Sequence, residues 1–80
     1  MTHHPSIAEL ARIENLVVQI EFLDGRLSDL TLRLLEKENL AQIEWEILRT
    51  EMKRRKLMVE LRSLASTLTY VPSYAASVLQ

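Results

Sequence analysis

Cysteine is absent from this chain, so neither a disulfide nor a thiolate metal site can staple it. One glycine and two prolines in 80 residues are too few for the closely spaced turns of a sandwich or barrel. Both histidines, His3 and His4, sit at the extreme N-terminus, which leaves the body without an imidazole for catalysis or ligation. The net charge is only −1, so no global field draws the chain to nucleic acid or acidic lipid. No apolar run approaches the roughly 18–20 residues that a membrane span needs. The start lacks the basic-then-apolar order of a secretory signal, and the cytoplasm is the expected compartment. No P-loop, glycine-rich fingerprint or nucleophile elbow is present. A carboxylate metal site of the four-helix kind wants Glu-x-x-His pairs, which the body cannot supply. No catalytic, cofactor-binding or metal-ligating residue is therefore assigned, and an enzyme is not expected.

What the chain does have is apolar residues, at 48% of its length, enough to expect a folded core. Met1–Pro5 reads as a loose leader. Ser6-Ile7-Ala8-Glu9 fits a capping box, in which Ser6 accepts from the Glu9 amide and Glu9 reaches back. Pro5 blocks any helix from extending upstream. Beyond it, apolar residues recur at spacings of three and four. Ile13, Leu16, Ile20, Leu23, Leu27, Leu30 and Leu34 form one stripe. Leu40, Ile43, Ile47, Leu57, Leu61, Leu64 and Leu68 form another, with Thr50 and Arg54 at the two intervening stripe positions. Such spacing places each set on one helix face.

The two stripes are out of phase between Leu34 and Leu40. Asn39, with Gln42 three residues on, offers a second capping box. The expected fold is thus all-α: a long antiparallel helical hairpin, with helices over 6–36 and 40–69. A fold at this point sets Leu34 level with Ile43 and Leu16 level with Leu61. Two rivals are weighed beside it. Asp24-Gly25 holds the only glycine and could cap a helix, although the first stripe passes through it without losing phase. The chain could also form one continuous helix, with the phase slip as a stutter, in an antiparallel coiled coil. Val71-Pro72-Ser73 ends the helical region. Residues 70–80 form a tail, with a possible short turn capped by Ser73 that folds back on the helices.

Large apolar residues fill about three positions in seven between Ile7 and Val71, the density of a bundle face rather than the two in seven of a zipper. The surplus lies away from the two stripes. Val18, Phe22 and Leu32 fall nearly opposite the first, with Gly25 among them; Trp45, Leu48, Met52 and Val59 fall nearly opposite the second. A lone hairpin would leave this second face wet, and exposed contiguous apolar patches mark interaction sites. These seven residues are accordingly the expected protein interface. The expected partner is first a second copy, as a dimer or tetramer packed into a helical bundle, and then another protein. The function that follows is a small protein-binding module: a scaffold, adaptor or chaperone-like partner.

Charge is divided unevenly. Residues 1–48 hold nine acids and four bases; residues 49–80 hold two acids and six bases. The basic cluster comprises Arg49, Lys53, Arg54, Arg55 and Lys56. A solvated band facing the acidic first helix is the plain reading. The alternative is a nucleic-acid-associated regulator in which Arg49, Lys53, Arg55 and Lys56 contact phosphate, although these cations spread around the helix rather than along one face. Peripheral lipid attachment is the weakest of the readings, because the acids are numerous and the apolar faces doubled.

Overall fold

The computed structural model describes all residues, 1–80, and is all-helical, with 78% of the chain in helix and no strand. The first helix, α1, spans Ile7–Leu35, the second, α2, spans Leu40–Ala65, and a short α3 spans Ser73–Leu79. The two long helices pack against each other as a hairpin, and α3 packs on α1. The molecule is a rod, 49 × 20 × 17 Å.

The Ser6 capping box forms in full. Glu9 N–H donates to Ser6 Oγ at 3.1 Å and Ser6 N–H donates to Glu9 Oε1 at 3.0 Å. Such a cap contributes about 1 kcal/mol by satisfying amides that the first turn would otherwise leave open. α1 then runs unbroken through Gly25, whose backbone is ordinary helix. Neither the glycine turn nor the single continuous helix is the fold.

The reversal falls at 36–39, but not by the expected chemistry. Asn39 makes no side-chain capping bond; it sits in the left-handed region with φ 49°, and its carbonyl accepts from Ile43 N–H. Lys37 is left-handed too, with φ 58°, and its N–H closes the end of α1 on the Leu34 carbonyl at 3.1 Å. Asparagine tolerates that conformation; for lysine it costs roughly 1–2 kcal/mol, because Cβ crowds the following carbonyl. Two left-handed residues in three are what turn the chain here.

Between the helices, Ile13, Leu16, Ile20, Leu23 and Leu30 of α1 meet Ile43, Thr50, Met58 and Leu61 of α2, all buried. Thr50 sits in the seam because its hydroxyl donates to the Glu46 carbonyl one turn back, at 2.7 Å. The packing is denser at the open end of the hairpin. There Ile13, Leu16, Val17, Ile20, Met58, Leu61, Leu68 and Ala75 form a single buried cluster, with Val71, Val78 and Leu79 against it.

α2 ends at Ala65, four residues before the expected 69. Ser66 and Thr67 turn their hydroxyls back onto the Ser63 and Leu64 carbonyls, the local bonding by which these side chains compete with helix. The segment beyond meets the leader. His3 N–H donates to the Thr67 carbonyl at 2.9 Å, and Thr69 N–H donates to the His3 carbonyl at 2.8 Å. The His3 ring lies 2.9 Å from Glu9 Oε2, and the Thr69 hydroxyl lies 3.2 Å from His4 Nδ1. Residues 1–5, which read from sequence as a loose leader, are thereby clasped to the end of α2.

Candidate functional site: the outer faces of the hairpin

The hairpin takes up most of the inner stripes, so any site must be built from what remains outside. Val18, Phe22 and Leu32 on α1, and Trp45, Leu48, Met52 and Val59 on α2, are all exposed; Phe22 keeps 72% of its surface in solvent and Trp45 keeps 59%. Leu35 and Leu40 beside the turn, and Tyr70 at the open end, are exposed as well. Leu40 belongs to the second stripe by spacing yet lies exposed, because only two helices meet at the turn; Leu35 and Tyr70 lie off the stripes, and Leu35 could have been found at the phase slip.

The seven do not form one compact pocket. Phe22 borders the side of the seam, lining a shallow groove with Leu23, Arg26, Glu46, Arg49 and Lys53, and it adjoins Val18 and Leu57 at the next turn. Helix geometry places Val18, Gly25 and Leu32 along the outside of α1, and Trp45, Leu48, Met52 and Val59 along the outside of α2. Gly25 meets nothing there: a Cβ added to it would find no atom within 4 Å. No turn and no close approach within the chain accounts for this glycine.

The electrostatics follow position around each helix rather than the overall charge of each half. Three ion pairs cross between the long helices. Only Arg54–Asp24, at 2.5 Å, joins a base on α2 to an acid on α1. Arg26–Glu46, at 3.1 Å, and Arg12–Glu60 run the other way. Arg54 sits at an inward stripe position, and it escapes burial of its charge by reaching sideways to Asp24. Of the other cations in the cluster, Arg49, Lys53, Arg55 and Lys56 form no ion pair. They do not converge either: Arg49 and Lys53 line one side of the seam, Arg55 lines the other with Asp24 and Glu51, and Lys56 lies between Arg12 and Val59 on the first side.

Glu9 is displaced from its ordinary protonation behaviour. The Ser6 backbone N–H, and after it the His3 ring, hold its carboxyl below the usual range. Both contacts belong to the helix cap and the clasp. No three His, Asp or Glu side chains are gathered so as to hold a metal ion, and no helix is long and apolar enough to cross a membrane. No family model, curated protein or solved structure matches the chain.

Proposed function

We propose that this protein is a small non-enzymatic interaction module that assembles with copies of itself through the outer faces of its hairpin, acting as a cytoplasmic scaffold, adaptor or chaperone-like partner. The observation that carries the reading is the exposure of Val18, Phe22, Leu32, Trp45, Leu48, Met52 and Val59. A two-helix hairpin with a third short helix has a thin core and no covalent or metal staple, and covering a second apolar face supplies the missing burial. Large exposed apolar faces on small domains are the usual mark of a protein interface. Light scattering in physiological salt tests it: the reading expects a mass above the 9.3 kDa of one chain. Trp45→Glu is expected to lower that mass, and a strictly monomeric wild type overturns the reading.

The four unpaired cations favour one second reading, a nucleic-acid-associated regulator contacting phosphate through Arg49, Lys53, Arg55 and Lys56. It expects DNA or RNA binding that weakens steeply with salt and is lost in Lys53→Ala with Arg55→Ala. Their spread to both sides of the seam favours the first reading.

A further inference from the structure

The outer faces of the two long helices each carry their own unbroken run of residues at alternating spacings of four and three. On α1 it reads Ala11, Glu14, Val18, Glu21, Gly25, Ser28, Leu32, Leu35. On α2 it reads Ala41, Trp45, Leu48, Met52, Arg55, Val59, Arg62. Such a period is that of a helix–helix seam, and every residue of both runs is exposed. The first run contains only two charged residues, both acids. The second contains only two, both bases. All four are exposed, and none is in an ion pair, although the helices make three other pairs across the hairpin.

Resting on the self-assembly reading above, we infer that the outer run of α1 docks antiparallel on the outer run of α2 of a second copy. One register pairs all seven positions of the α2 run and leaves only Ala11 of the α1 run beyond the overlap. Glu14 meets Arg62 and Glu21 meets Arg55, while Val18 meets Val59, Leu32 meets Trp45, and Leu35 meets Ala41. Gly25 comes opposite Met52 in this register, and Ser28 opposite Leu48. The small residues of α1 thus receive the long ones of α2. That gives Gly25 its role: within one chain an alanine there would meet no atom and would favour the helix by about 1 kcal/mol.

The alternatives are poorer. Pairing α1 with its own copy sets glutamates on a face that holds no base, and pairing α2 with its own copy does the same for arginines. A parallel alignment can also match both charge pairs, but it strands Leu32, Leu35 and Trp45 beyond the overlap. In the antiparallel seam the outer runs meet over about 30 Å of helix.

The contact joins unlike surfaces, so it is heterologous. Each outer run lies roughly 150° around its helix from the inner stripe, too far for the square corner of a closed four-helix dimer. Copies therefore add side by side in the same orientation, and the row ends only if it closes as a ring.

The test uses charge reversal on the full chain. Glu14→Arg with Glu21→Arg makes both outer runs basic; Arg55→Glu with Arg62→Glu makes both acidic. Each variant alone is expected to self-associate about tenfold or more weakly than wild type. An equimolar mixture of the two is expected to recover the wild-type mass, because each then offers the other an opposite face. Circular dichroism of each variant checks that the hairpin is intact. Gly25→Leu, which leaves charge untouched, is expected to weaken association by filling the space assigned to Met52. Wild-type mass retained in both charge variants, or no recovery on mixing two folded variants, overturns this register while leaving self-assembly standing. A monomeric wild type overturns both.

Discussion

The two ends of the rod are built differently. At the open end, α1, α2, α3 and the clasped leader surround a cluster in which Ile13, Leu16, Ile20, Leu61 and Ala75 are wholly buried. At the turn end only two helices meet, Leu35 and Leu40 are exposed, and the reversal depends on two left-handed residues. Stability and turn geometry are thus separated along the same 49 Å axis. The open end holds the fold, and the turn end has surface to spare.

The contrast can be broken at several points. Leu61→Ala, in the dense cluster, is expected to cost roughly 3–5 kcal/mol, against about 2 kcal/mol for Ile43→Ala near the turn. Denaturant midpoints of the two variants measure the difference, and equal losses would erase the distinction. Removing residues 72–80 takes α3 off α1 and is expected to cost roughly 2–3 kcal/mol, chiefly because the cluster around Ile13, Leu16, Val17 and Ile20 loses the cover that Ala75, Val78 and Leu79 give it. The same urea series reads it.

The turn end can be sharpened rather than broken. Lys37→Gly relieves the left-handed strain and is expected to stabilise by about 1 kcal/mol, raising Tm by about 4–8 °C. The smallest effect is on acid titration. The folded-state carboxyl of Glu9 is depressed, so its contribution is present above its unfolded pKa and is lost as pH falls through the folded one. Wild type should lose stability below about pH 4 more steeply than Glu9→Gln, as followed by helical ellipticity against pH.

Periodicity made most of this legible. Ile13, Leu16, Ile20, Leu23, Leu30, Ile43, Leu61 and Leu68 all lie on the stripes read from spacing, and all are buried. Val17 and Met58 are buried without lying on either stripe. They sit beside the stripes where Leu68 and α3 widen the core, and that widening comes from a tail whose packing no local period encodes. Asn39 marked the reversal correctly in place but not in mechanism. The same side chain suits a capping oxygen or a left-handed backbone, and sequence does not choose between them. Summed charge misled because a helix presents each charge at its own angle, and so Arg12 and Arg26 on the acidic α1 became donors to acids on α2. The clasp was invisible: His3 and Thr67 are joined only after the whole hairpin has closed. For the outer face, the seven residues that spacing set away from the stripes are all exposed, because surplus apolar positions show in a helical period even when nothing covers them; Leu35 and Leu40, exposed as well, were not among them.

That the densest packing waits on Leu61, Leu68 and Ala75 has a bearing on biosynthesis. Translation is vectorial, so α1 leaves the ribosome with its apolar side bare, and the residues that seal it are made well after it. At about 5–20 residues per second the interval is on the order of seconds. A nascent helix in that state is both marginal and adhesive. The stretch from Ile13 to Ile20 therefore stays in contact with water until Leu61, Leu68 and Ala75 have followed it out.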